Sequence, residues 1–229
     1  MLRACAWLGG VTFVASLAYG GWFYLVELAV PAAPGTPVAP AAAIDVALFT
    51  AFALHHSAMA RSGAKAWIAR HVSPAAERTL YVWVSSLLFL GVCLAWQPLP
   101  GTAYTAPAPV AWLLRGGQIL GVWLTLRGAS VVDPLELAGI RQAVRRERAV
   151  ALRIVGPFRL VRHPIYLGWI FMVWCAPHMT MNRLLFAAVS TAYLALAIPF
   201  EERSLVAAHG NAYRAYQREV RWRLLPGLW

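Results

Sequence analysis

The stretch Gly156-Pro157-Phe158-Arg159-Leu160-Val161-Arg162-His163-Pro164-Ile165-Tyr166-Leu167-Gly168 holds the densest set of groups able to do chemistry in this chain. Pro164 suits the first turn of a helix, while Arg159, Arg162 and Tyr166 would serve as a basic flank and an interfacial anchor. His163 is left over by that account. At a helix N-terminus its imidazole can donate or accept a hydrogen bond, and with Arg162 beside it the pair suits a ligand bearing a carboxylate or a polar ring edge. An acidic pair follows at Glu201-Glu202. Carboxylates are unfavourable at the C-terminus of a helix, so the helix that carries them is expected to run on. Residues 201–218, EERSLVAAHGNAYRAYQR, place Leu205, His209, Tyr213 and Tyr216 at spacings of three and four, an amphipathic pattern weakened locally by Gly210. The Glu pair would either bridge Arg203 or the arginines of 141–163, or grip hydroxyls and a cationic group of a ligand.

The elements that position these groups must suit a bilayer. Of 229 residues, 60% are hydrophobic and 13% charged, and the mean hydropathy is +0.60, too apolar for a soluble globule. Apolar runs at about 5–30, 41–60, 78–97, 109–132, 164–180 and 183–200 predict an all-α, polytopic membrane bundle of about six transmembrane helices with a C-terminal amphipathic helix. The last two runs are short and close together, so they predict a tight hairpin, and either would also suit a re-entrant segment. The net charge of +11 could suggest nucleic acid, but the basic residues fall between apolar runs, so no nucleic-acid partner is expected.

Loops 31–40 and 98–108 contain no Lys or Arg, whereas 133–163 carries seven arginines and the tail after residue 200 carries five. By the positive-inside rule both termini are cytoplasmic, which requires an even number of spans, and a bacterial inner membrane is the expected setting. The first run is read as an anchor rather than a cleaved signal peptide because it is long for one. His55 and His56, Arg127 and Asp133, and Glu201 and Glu202 then gather at the inner helix ends, where ionisable groups mark a functional site. Taken singly, Arg115, Arg127 and Arg183 read as snorkelling residues, and so do Glu27 and Asp45 near outer ends. Cys5, Cys93 and Cys175 stand far apart in apolar stretches, so neither a disulfide framework nor a metal site is expected.

These motifs resemble those of the isoprenylcysteine carboxyl methyltransferase-like membrane enzymes. That pattern is a Gly, a basic stretch, Arg-His-Pro-x-Tyr opening a helix, Glu-Glu ending the next, and a Gly-x-x-Tyr-x-x-Tyr tail; here these are Gly156, Arg162 to Tyr166, Glu201-Glu202 and Gly210 to Tyr216. Upstream, His56-Ser57-Ala58-Met59-Ala60-Arg61, Glu77-Arg78-Thr79-Leu80-Tyr81-Val82, Trp96-Gln97-Pro98 and Leu137 to Gln142 look like the methanethiol S-methyltransferase branch. Two departures stand out: Asp133-Pro134 where that branch carries Asp or Asn followed by His, and Val220-Arg221 where the family tail reads Val-Pro.

The resemblance implies a single membrane methyltransferase domain over 1–229, with 1–132 on the acceptor side and 133–229 on the cofactor side. It implies S-adenosyl-L-methionine as donor; no G-x-G-x-x-G follows a strand, so a Rossmann-type site is not expected. Arg162 and His163 would meet the methionyl carboxylate, Glu201 and Glu202 the ribose or ammonium, and Tyr166 or Tyr213 the sulfonium by cation–π attraction. His56, Asp133 or Arg141 would help a thiol lose its proton, since the thiolate is the nucleophile. The expected partners are a small hydrophobic or lipid-like acceptor and membrane lipids. Thiol S-methylation ranks first, and methylation of a prenylcysteine carboxylate or a phospholipid headgroup second. An ion-conducting or structural membrane protein is the rival without chemistry; a transporter would show broken helices at the midplane, whereas polarity here collects at one face.

Overall fold

In a computed structural model, which describes residues 1–59, 61–68, 70–144, 152–227 and 229, the chain is mostly helical. Ala60 of the upstream motif and Arg145, Arg146 and Arg148 of the basic segment lie outside those residues. The elements in chain order are α1 (Leu2–Leu25), α2 (Val38–Met59), α3 (Ser62–Ile68), α4 (Pro74–Ala95), β1 (Thr102–Thr105), α5 (Ala108–Val132), α6 (Pro134–Leu137), α7 (Ile140–Val144), α8 (Pro164–Trp174), β2 (His178–Thr180), α9 (Met181–His209) and α10 (Asn211–Glu219). They group into two compact units. The first takes Met1–Gly101, the segment following Pro134 and Thr180–Asn182; the second takes Thr102–Asp133, the segment ending at Met179 and Arg183–Trp229.

In the first unit, local sequence dictates where α4 begins. Ser73 caps it in an extended conformation and accepts the Ala76 amide at 3.3 Å, Pro74 fills the first turn, and Glu77 sits where the helix dipole favours an acid. Residues Val82, Ser85, Phe89, Val92 and Cys93, three and four apart, form its buried face. Helix α1 comes close because it offers glycine there. A Cβ at Gly20 would lie 2.6 Å from the Phe89 ring, and one at Gly9 would lie 2.9 Å from the Trp83 indole nitrogen. A polar clasp closes the end of this unit that holds the arginine-free loop 31–40. Asn182 accepts the Leu99 amide at 2.6 Å and donates to Val30 O at 3.1 Å, and Thr180 donates to Leu28 O. Asp45 belongs to the clasp: it is fully buried and accepts the Gln97 amide at 2.7 Å, so it caps a backbone turn and does not snorkel as the sequence suggested.

In the second unit, α5 and α8 pack with almost no side chain between them. A Cβ at Gly121 would meet the Gly168 carbonyl oxygen at 2.6 Å, one at Gly128 would meet Ile165 at 2.6 Å, and one at Gly117 would meet Cys175 Sγ at 2.7 Å. This is the small-residue packing by which helices associate in lipid, and it places α5, expected on the acceptor side, with α8.

Four helices are long and apolar enough to cross a membrane among the described residues: Leu2–Ala29, α2, α4 and α9. Their outward faces are apolar, Leu54 of α2, Leu94 of α4 and Leu196 of α9 being exposed, which marks a membrane protein. Two of the six expected crossings are not among these four. Helix α5 has 25 residues but carries Arg115, Gln118 and Arg127, and it is not among the four. The run expected to be helical over 164–180 stops at Trp174, leaving 11 residues, about 16 Å of helix. Pro177 accounts for the stop, since proline disfavours helix at the residue before it. Beyond it β2 pairs with β1, and Pro177 O accepts the Ala106 amide at 2.8 Å.

Candidate functional site

Helix α8 opens at His163, whose backbone is not helical, with Pro164 in the first turn, so the Arg162 and His163 side chains project from the loop just ahead of the helix. Two backbone bonds set that loop. The Arg162 amide donates to Trp222 O and the His163 amide to Arg223 O, both at 2.9 Å, so the segment after α10 returns alongside it. Helix α9 passes through Pro199 without ending and brings Glu201 and Glu202 to the same place.

Glu202 is the hub. It is 4% exposed, and Arg162 Nε donates to its Oε1 at 2.6 Å. His163 Nε2 stands 3.4 Å from the same oxygen. Arg223 Nε and Gln217 Nε2 donate to Oε2 at 3.2 and 3.4 Å. Arg162 spends its Nη1 on Val220 O and Arg221 O, each at 2.8 Å. A buried ion pair with both partners this fully bonded holds three chain segments together.

Glu201 differs. Its side chain is 41% exposed, it accepts Tyr166 Oη at 2.6 Å, and it stands 3.9 Å from His163 Nδ1. The His163 and Tyr166 rings stack with centroids 5.4 Å apart and planes within 5°.

Helix α10 completes the cluster from its buried face. Tyr216 Oη donates to Phe158 O at 2.7 Å. Tyr213 is 1% exposed, and its hydroxyl has no hydrogen-bond partner among the described residues. Burial raises both phenols, and Glu202 raises Tyr213 further, so each remains an O–H donor through the physiological range. Beside the hub lies a cleft of about 330 Å³ lined by Pro199, Glu202, Arg203, Val206, Gln217 and Arg223, mixing both charge signs with apolar wall.

All six residues expected around the cofactor, Arg162, His163, Tyr166, Glu201, Glu202 and Tyr213, therefore converge in the second unit. Those expected to act on the acceptor fall in both units. His56 lies in the first unit, where Tyr81 Oη stands 3.0 and 3.2 Å from its ring nitrogens. Arg78, fixed by the carbonyls of Glu136 and Leu137 at 3.2 Å each, sits 5.0 Å over the Tyr81 ring. Arg141 is on α7 of the same unit. Asp133 ends α5 in the second unit at φ 88°, a left-handed conformation unusual outside glycine. Sequence reasoning did not pick out Gln217, Arg223, Tyr81 or Arg78 as partners. Arg223 had one signal, a basic residue in a tail already distinguished by Val220-Arg221.

Apolar spans and a buried Arg–His–Glu hub at one helix end define a helical membrane protein with a polar site built by its C-terminal third. The chain is 34% identical over 215 residues to Methanethiol S-methyltransferase 2 of Bradyrhizobium diazoefficiens, covering 92% of this chain and 83% of that protein. It is 36% identical over 208 residues to the Methanethiol S-methyltransferase of Mycobacterium tuberculosis, covering 88% and 85%. Human Nurim is 29% identical over 186 residues, 70% of this chain and 66% of that one. No protein-family model and no solved structure matches the chain. It belongs to the methanethiol S-methyltransferase family, and is thereby an enzyme of the methyltransferase class.

Proposed function

We propose that this protein transfers a methyl group from S-adenosylmethionine to the sulfur of a small thiol, methanethiol first among candidates. The observation that carries the reading is its likeness to a methanethiol S-methyltransferase over 92% of its length. The α8–α10 cluster supplies the polar groups that such a donor needs.

The residues present suit the donor by their chemistry. It carries a carboxylate, an ammonium, a ribose diol and a sulfonium, and the cleft offers Arg203 and Arg223 beside Glu202 and Gln217. The unpartnered Tyr213 hydroxyl adds a buried donor in want of an acceptor. When bound, S-adenosylmethionine would supply an electrophilic methyl carbon, to which a thiolate sulfur can bond in line as the bond to the sulfonium sulfur breaks and the donor leaves as a neutral thioether. Arg203 and Arg223 are assigned to the carboxylate, and Glu201, oriented by Tyr166, to the ammonium or ribose. His163 gives a ring edge to the same ligand. Arg162 and Glu202 hold these groups in register, because their own bonds are already taken up by the chain.

The thiol proton must leave before attack, and His56 is assigned as its acceptor, with Asp133 and Arg141 as alternatives. Acceptor choice falls to the helices upstream of residue 133. Most of the chain's catalytic advantage then comes from holding sulfur and methyl aligned in a site without water.

The same reading takes six crossings with both termini cytoplasmic in a bacterial inner membrane. The fourth crossing is α5. The fifth is the short α8 continued by extended residues, of which Ala176, Met179 and Thr180 are fully buried, as non-helical backbone at membrane depth must be. Helix α10, with Tyr213 and Tyr216 on one face and Arg214 and Arg218 exposed, is the amphipathic C-terminal element. Calorimetric titration of the detergent-solubilised protein with S-adenosylmethionine tests the donor assignment. Saturable binding is expected for the wild type, and severe loss for His163→Ala and Glu201→Gln with normal insertion; equal affinity in all three returns both residues to a structural role.

A further inference from the structure

Helix α9 leaves its apolar stretch at a sharply marked level. Leu196 and Phe200 are exposed on it, and Arg203, exposed one turn on with its guanidinium carbon 5.3 Å from the Phe200 ring centroid, is the first charged residue of the helix to follow them outside the Glu201–Glu202 pair. Helix α10 is tied to that level, because Gln217 bonds Glu202, the residue before Arg203, and Tyr216 bonds Phe158 O. Its inward face is spent on the hub. Its outward face carries Arg214 and Arg218, both exposed, and Arg221 follows exposed just beyond the helix. Among the described residues Arg214 bonds the neutral Asn211 Oδ1 at 3.3 Å, and Glu219 is the acid within the helix. Trp222, Leu225 and Trp229 are exposed in the same segment, the aromatic and apolar groups that settle at an interface.

We infer that the exposed arginines of α10 and its following turn, Arg214, Arg218 and Arg221, bind the phosphates of anionic phospholipid headgroups, so that the charge of the leaflet sets how firmly α10 holds its buried face on the Arg162–Glu202 hub. Charge, exposure and depth point to this binding whether or not the protein transfers methyl groups. An arginine near an anionic surface contributes up to about fivefold in binding, and three act together. Because Gln217 and Tyr213 sit on the inward face of the same nine-residue helix, ordering its outer face steadies the hub.

The test is hydrogen–deuterium exchange of α10 in the full-length protein, reconstituted without donor into nanodiscs of phosphatidylcholine alone or mixed with phosphatidylglycerol. Exchange across 211–219 is expected to slow at least several-fold in the anionic discs and to recover at high salt, which screens headgroup charge. The triple variant Arg214→Gln, Arg218→Gln, Arg221→Gln should exchange alike in both discs, and the matching triple lysine variant should restore the difference, which separates lost charge from lost folding. Inorganic phosphate added to phosphatidylcholine discs separates a lipid from a soluble anion. Equal exchange of the wild type in the two discs, persistence of the difference in the glutamine variant, or equal slowing by free phosphate alone would overturn the proposal.

Discussion

Adjacent glutamates with opposite surroundings give the site its two kinds of residue. Glu202 is buried and bonded to Arg162, Gln217 and Arg223, whereas Glu201 is 41% exposed and holds Tyr166. Removing one partner of a buried pair strands the other charge, so Glu202→Ala should lower stability by about 3–5 kcal/mol in a denaturant or thermal melt of the detergent-solubilised protein. Tyr166→Phe removes a hydrogen bond to a carboxylate, worth about 1.5–3 kcal/mol where it is fully felt. It should leave the melt within about 1 kcal/mol of wild type and weaken donor affinity about tenfold or more, read by calorimetry. A Tyr166→Phe protein with unchanged affinity would remove Glu201 from the donor contacts. The motif types were legible in the sequence, since Arg-His-Pro-x-Tyr, Glu-Glu and the Tyr-x-x-Tyr tail all meet. Which glutamate turns inward was not legible, because consecutive helical positions lie about 100° apart and only the neighbouring segments decide which face is buried. Gln217 and Arg223 were missed for the same reason: their partners lie 15 and 21 residues away in sequence.

At the level of elements, α5 and α8 approach until backbone meets backbone. A Cβ at Gly121 would press on the Gly168 carbonyl, which cannot yield as a flexible side chain can. Gly121→Ala and Gly168→Ala should each reduce thermal stability by about 1–3 kcal/mol, whereas Gly21→Ala, with nothing within 4 Å of the new methyl, should be neutral or slightly stabilising. A scan in which all three behave alike would refute the close packing. Hydropathy located the helices well where an apolar run is also a helical run, as in α1, α2 and α4. It overran in α8, because Cys175, Ala176 and Met179 are apolar yet not helical. The proline that ends the helix was visible at 177, but its effect depends on the extended pairing with β1, a contact distant in sequence. The charge argument that disfavours glutamates at a helix end anticipated that the helix runs on past Glu202; α9 does so to His209, but the run expected over 201–218 is broken at Gly210, whose φ of 56° separates it from α10.

For the molecule as a whole, topology and chemistry can be tested apart. In a cysteine-free background, Thr36→Cys and Thr102→Cys should both react with an impermeant thiol reagent from outside the cell. Protection of either until the membrane is opened would refute six crossings. The chemistry has its own pH signature. Tyr213 and Tyr216 keep their protons because burial raises them, so they impose no titration near neutrality. The thiolate fraction of the acceptor grows with pH, and the transfer rate should therefore climb with pH up to the thiol's own pKa, where the protein stays folded. The most direct measurement of the central claim is transfer of a labelled methyl group from S-adenosylmethionine, by the purified and reconstituted protein, to methanethiol, a prenylcysteine and phosphatidylethanolamine in parallel. Labelled dimethyl sulfide from methanethiol, with little label in the other two, is the predicted result; label appearing only in the prenylcysteine or the lipid would contradict the thiol assignment, and label in none of the three would contradict the proposed methyl transfer itself.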